Sequence, residues 1–169
     1  MHKDFLALLP LLAIWATLGT LLAAIDMRTH RLPNLIVFSA YPCVLISLWI
    51  AGLSMGQWRW GQALIGAGIW LAALGVVWFV TAGKAMGFGD VKLAPVLGLS
   101  LGWCGWEIAT FGLFCAWFLG GIVAGGLLLI GRARRSSAIA FGPFLIAGFW
   151  VALILGPGLV RWATTANLV

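Results

Sequence analysis

Residues 61–82 read GQALIGAGIWLAALGVVWFVTA, twenty-two positions from Gly61 to Ala82 without one charged side chain. About 20 apolar residues cross the ~30 Å hydrocarbon core of a bilayer as an α-helix. Inside that core only a helix or a closed barrel satisfies its own backbone polar groups. The stretch is therefore read as a transmembrane helix, and the chain on either side repeats the pattern. Phe5–Ile25 is a first span, too long for the 7–15-residue apolar core of a signal peptide, and is read as retained. Leu32-Pro33-Asn34 opens a second span that runs to about Leu53, with Pro33 in the first helical turn, where its missing N–H costs nothing. Val91 to about Gly102 is a fourth apolar segment, short for a full crossing, so it is expected to begin inside the bilayer. A fifth runs over about Ile108–Ile130. A sixth, about Ala138–Leu155, is interrupted early by Phe141-Gly142-Pro143 and ended by Gly156-Pro157-Gly158. The expected fold is all-α, a polytopic membrane bundle of about six helices forming one membrane-embedded domain over residues 1–169.

Composition points the same way. Hydrophobic residues make up 63% of the chain and charged residues 8%, against roughly 25% charged in an ordinary soluble domain. The mean hydropathy is +1.11. Such a chain has too few polar side chains to cover a water-facing surface, and its expected surroundings are the lipid bilayer. The net charge of +6 does not imply nucleic acid as a partner, because the basic residues sit in short loops between apolar spans, where they set topology. Arg28, Arg31, Lys84, Lys92, Arg132, Arg134 and Arg135 fall in or beside loops one, three and five, against Lys3, Arg59 and Arg161 on the other side. The positive-inside rule then makes loops one, three and five cytoplasmic, which predicts a multi-pass protein of the cell (inner) membrane. Cys43, Cys104 and Cys115 lie scattered in apolar segments with no CxxC pair, so they are read as small buried apolar residues rather than a zinc site or disulfide framework. The tryptophans are read mostly as interfacial anchors.

Against this background the acids stand out. There are four: Asp4, Asp26, Asp90 and Glu107. An Asp at the centre of a membrane helix costs on the order of 2.5–3.5 kcal/mol, and less near the interface. Asp26 closes the first span and Asp90 opens the fourth, which puts both at the basic face. Two carboxylates in one low-dielectric site do not both ionise easily, so such a pair holds a base and an acid together. It can take a proton from water while giving one to a peptide carbonyl, with no covalent intermediate. Asp90 lies in Gly87-Phe88-Gly89-Asp90-Val91-Lys92-Leu93, where Gly87 and Gly89 admit close approach of backbone and substrate. The motif is expected to sit in an unwound loop, which membrane depth tolerates only where it is buried in protein or lines a water-filled cavity.

Three elements, in order, resemble those of the prepilin peptidases, the type IV leader peptidase family of GxGD membrane aspartic proteases. Gly87–Leu93 is similar to the family's GxGDxKL signature. Asp26-Met27-Arg28-Thr29-His30-Arg31-Leu32-Pro33-Asn34 resembles its other signature, an Asp followed after five residues by Ile-Pro-Asn, with Leu32 for the Ile. Phe141-Gly142-Pro143 resembles its Pro-Phe-Gly-Pro element, with Ala140 in place of the first Pro. The resemblance implies that Asp26 and Asp90 are the catalytic pair. It gives Gly87, Gly89, Lys92, Pro33, Asn34, Gly142 and Pro143 motif or substrate-positioning roles. The implied substrate is a prepilin-like or preflagellin-like precursor, with a short basic leader ending in Gly before an apolar helix, cleaved at the cytoplasmic face. No metal or cofactor is implied, since water is the nucleophile. Nothing here matches the cysteine tetrad of the longer, bifunctional members, so the short peptidase-only type is expected, without N-methyltransferase activity. A reading from a different class stays open at this point: a small transporter or channel subunit that uses Asp26 and Asp90 for proton or cation passage. A third is a catalytically idle assembly factor.

Overall fold

The computed structural model describes residues 2–29, 32–84, 86–130 and 140–166. The described residues are helical almost throughout. α1 (His2–Ile14), a π-helical turn (Trp15–Gly19) and α2 (Thr20–Thr29) follow one another without a break. They are succeeded by α3 (Asn34–Met55), α4 (Trp60–Val80), α5 (Phe88–Cys104), α6 (Trp106–Leu129) and α7 (Gly142–Ala166). Five stretches are long and apolar enough to cross a membrane: Leu6–Thr29, Asn34–Met55, Trp60–Val80, Trp106–Gly126 and Gly142–Val160. The protein is thus a multi-pass helical membrane bundle.

The sixth expected segment is α5, and it differs from the others in kind. Its 17 residues reach only about 25 Å at 1.5 Å per residue, short of the ~30 Å core. It is instead the centre of the bundle. Apart from Lys92 and Pro95, every residue from Asp90 to Trp103 is buried, and α3, α4, α6 and α7 all pack on it. The closest approach is to α4. A Cβ on Gly98 would run into the backbone carbonyl of Gly66, and one on Gly66 into that of Gly98. Only glycine at both positions lets the two backbones meet, as small residues do between membrane helices.

Several expected boundaries shift. The first helix runs on past Ile25 to Thr29, so Asp26 is helical. Pro33 stands just before α3 in extended conformation (φ −67°, ψ 123°), and its carbonyl accepts the N–H groups of Ile36 at 3.1 Å and Val37 at 3.2 Å. It starts the helix from outside rather than from the first turn. Gly89 and Asp90, expected in an unwound loop, are helical, because α5 begins at Phe88 with Gly87 before it. Gly142-Pro143 does not interrupt a helix but begins one. Pro143 has no N–H to give, which suits a first turn. Pro157 does not end α7, which continues to Ala166, since neighbouring helices can accommodate the carbonyl a proline frees.

The two ends of the bundle differ. Where α3 ends and α4 begins, Trp49 stacks edge-on against Trp58 at 5.1 Å, and Trp60 against Trp103 at 5.1 Å, an aromatic cluster of the kind found at a membrane interface. Three indoles, Trp103 of that cluster among them, depart from that expectation. Trp15, Trp70 and Trp103 are fully buried, the first two with partners. Trp15 Nε1 donates to Ser100 Oγ at 2.9 Å, and Trp70 Nε1 to the Ala109 carbonyl at 2.8 Å. Cys43, expected to be buried, is exposed on the outer face of α3; all three cysteines are free thiols. The opposite end holds the acids.

Candidate active site

Three chain segments converge on Asp26 and Asp90. Asp26 is in the last turns of α2 and 4% exposed; Asp90 is in the first turn of α5 and 5% exposed. Asp90 lies near enough to feel the Asp26 charge, so the two buried carboxyls are neighbours. α7 supplies the third wall. The Gly142 N–H donates to Asp26 Oδ2 at 3.0 Å. This is one of the donors that the start of a helix leaves without an intrahelical acceptor. Glycine is needed there for another reason: a Cβ would lie 2.6 Å from the same oxygen. Phe141 anchors the turn, its carbonyl accepting the N–H groups of Phe144 at 3.0 Å and Leu145 at 3.2 Å. Two helix N-termini, of α5 and α7, therefore meet at the acidic pair, and a helix N-terminus stabilises negative charge.

On the Asp90 side, the Gly87 carbonyl accepts the Asp90 N–H at 3.1 Å, which closes the first turn of α5. Gly87 has φ −72°, within reach of any residue, and a Cβ there would meet Asp90 Oδ2 at 3.9 Å, ordinary contact. Gly89 is different. Its Cβ would fall 2.9 Å from Leu32 Cβ, so glycine lets the segment before α3 lie flat against the start of α5. Asp90 Oδ1 is buried and has no hydrogen-bond partner among the described residues. An unmet buried acceptor costs about 1–3 kcal/mol.

Lys92 does not point at the pair. Its ammonium donates to Asn34 Oδ1 at 3.0 Å and lies over the rings of Phe88 at 4.9 Å and Phe38 at 5.5 Å. The Lys92 carbonyl accepts the Tyr41 hydroxyl at 2.7 Å. The two expected motifs are thus tied to each other through Lys92 and Asn34, α5 to α3. Phe38 and Phe88 escaped the sequence reading, although spacing marks them: Phe38 is one turn after Asn34, and Phe88 one turn before Lys92. Pro143 sits beside Gly142 at the site's edge. His30, Arg31, Arg132, Arg134 and Arg135 lie outside the described residues.

An apolar cavity of about 270 Å³ is lined by Val77, Met86, Trp117, Gly120, Gly121, Ala124 and Phe141. Met86 immediately precedes Gly87 and Phe141 immediately precedes Gly142, so its walls continue into both motifs. No residue pattern marks it, because its lining comes from α4, α6 and two separate loops.

Comparison with known proteins agrees with the motifs. A profile of the type IV leader peptidase family matches residues 11–130, which include both Asp26 and Asp90. Curated proteins named prepilin leader peptidase/N-methyltransferase are similar over most of the chain. The one from Aeromonas salmonicida is 31% identical, covering 88% of this chain and 53% of its own length. That of Pseudomonas aeruginosa is 31% identical over 89% and 50%, and that of Escherichia coli K12 31% identical over 83% and 59%. The chain spans about half the length of the curated relatives it matches. No solved structure gives a significant match. With the profile covering well over half of its residues, the chain belongs to the type IV leader peptidase family.

Proposed function

We propose that the protein is an aspartic endopeptidase that removes the leader from prepilin-like precursors, with Asp26 and Asp90 acting as one acid–base unit. The observation that carries this reading is the buried pair itself: two of the four acids in the chain meet in one site at two helix N-termini. The names of the relatives supply the substrate class; the proposal covers the peptidase reaction alone.

The chemistry follows from the pair. The ionised carboxyl takes a proton from water as the water oxygen bonds to the scissile carbonyl carbon. The protonated carboxyl gives its proton to the carbonyl oxygen, forming a neutral tetrahedral diol. Collapse returns a proton to the departing amine nitrogen as the C–N bond breaks. Gly142 holds Asp26 by its N–H, and Asp90 Oδ1 has an acceptor site to offer water or substrate. Gly89 and Leu32, with Lys92 and Asn34, fix the first motif against the second. Pro33 and Pro143 begin the helices that carry these groups. The apolar cavity receives the first turns of the precursor's hydrophobic helix, and this end of the bundle faces the cytoplasm.

The test is processing of a co-expressed prepilin by the Asp26→Asn and Asp90→Asn variants, each checked for normal membrane insertion. Each is expected to abolish cleavage. Normal processing by either would refute the dyad. A carrier or channel that uses the same acids would leave the precursor uncut in every case, the parent protein included.

A further inference from the structure

The helix that carries Asp26 contains a π-helical turn, Trp15–Gly19, between two α-helical halves. A π turn closes i→i+5 rather than i→i+4 bonds and so holds one residue more than an α turn. Nineteen steps separate Ala7 from Asp26; at about 100° each, an unbroken α-helix would leave Asp26 roughly 100° around the axis from Ala7. With one step absorbed, eighteen remain, which make five full turns at 3.6 residues each. Ala7 and Asp26 are both buried. The half before the turn buries Ala7 and Leu11, and Trp15, first residue of the turn, is held in rotation by its indole, which bonds to Ser100 and packs on Phe149 at 5.2 Å. The half after the turn is fixed by Asp26 at Gly142. Two lipid-facing threonines stitch the turn: Thr17 Oγ1 donates to the Ala13 carbonyl at 2.8 Å, and Thr20 Oγ1 to that of Ala16 at 2.5 Å.

We propose that the π turn is a positioning device, one surplus residue that sets the rotational phase of Asp26 so that its carboxyl meets Gly142 and Asp90. The proposal rests on the dyad reading for its meaning in catalysis. Its geometry does not, and the two are tested apart. The phase argument makes an asymmetric prediction. Deleting Ala16 turns the helix α throughout and leaves Asp26 where it is. Inserting one alanine after Ala16 adds a second surplus residue and turns Asp26 away. An ordinary α-helix would be harmed alike by both changes.

The position of residue 26 is read without activity through a disulfide. The Cβ that a side chain at position 142 would carry lies 3.4 Å from Asp26 Cβ, close to the 3.5–4.5 Å of natural disulfides. A D26C/G142C pair, made with Cys43, Cys104 and Cys115 replaced by alanine, should therefore oxidise readily in membranes. The pair is expected to form as fully in the Ala16-deleted chain as in the parent and to fail in the chain with the insertion. In chains that keep Asp26, cleavage should hold within about threefold on deletion and fall by about 10²-fold on insertion, the scale of an ångström-level misplacement. Loss of the disulfide on deletion, or its survival on insertion, overturns the proposal. Should the inserted chain not accumulate in the membrane, the deletion decides alone. A parent-like disulfide in the deleted chain, together with active Asp26→Asn, would sink the dyad and leave the positioning device standing.

Discussion

Asp26 shows how narrow the tolerance of the site is at the scale of one residue. Its Oδ2 receives the Gly142 N–H at 3.0 Å, and the space behind that bond is too small for a methyl group. Gly142→Ala keeps the donor but pushes it off the carboxyl, so cleavage should fall by roughly 10²-fold while the amount of protein in the membrane stays near normal. Quantitative processing alongside immunodetection of the protease separates the two. Gly89 makes a related prediction through a different neighbour. Gly89→Ala meets Leu32 Cβ at 2.9 Å, an overpacking that typically costs about 1–3 kcal/mol. Removing the clashing atom with Leu32→Gly in the same chain should restore most of the lost thermal stability in detergent. A double variant no more stable than Gly89→Ala would show that the contact is not the cause.

At the scale of elements, the sequence displayed the helices better than their ends. Uncharged runs such as Gly61–Ala82 leave the backbone no choice in a bilayer, and α4 appears where expected. Gly142-Pro143 and Gly156-Pro157-Gly158 both read as breaks, yet one begins α7 and the other lies within it. The same residues serve both roles, and only the neighbouring helices decide between them. Asp26, Asp90 and the glycines around them were legible because acids are costly in lipid and glycines sit where chains touch. The π turn was not, since no residue pattern distinguishes Trp15–Gly19 from an α-helix. Nor was the cavity, whose walls are assembled from α4, α6 and the segments before α5 and α7. That cavity has its own test. Gly121 lines it with open space around its Cβ, so Gly121→Trp adds a bulky ring at the cavity wall with no clash at its Cβ. The proposed docking of the precursor helix then predicts about tenfold slower processing, the range of a blocked apolar pocket. An unchanged rate would place the precursor elsewhere.

The whole molecule is polarised. A tryptophan cluster marks one end; the acids and the Lys92–Asn34 link mark the other. The distribution of basic residues predicts that the acidic end is cytoplasmic. Lys84 and Arg59 are both exposed, at opposite ends. With the native cysteines replaced by alanine, Lys84→Cys should react with a membrane-impermeant thiol reagent only from the cytoplasmic side, and Arg59→Cys only from outside. The reverse pattern would put the scissile bond on the wrong side of the membrane for a cytoplasmic leader. The central claim, however, is that α2 and α5 deliver two carboxyls to one reaction. The most direct measurement is the cleavage rate of the purified protein in lipid vesicles, for Asp26→Asn, Asp90→Asn and the double variant. Groups that work as a unit are not additive. Each single variant should lose about 10²–10⁴-fold, the usual worth of a general acid or base, and the double variant should lose no more than either. Losses that multiply, or a single variant that cleaves at the parental rate, would contradict the shared site.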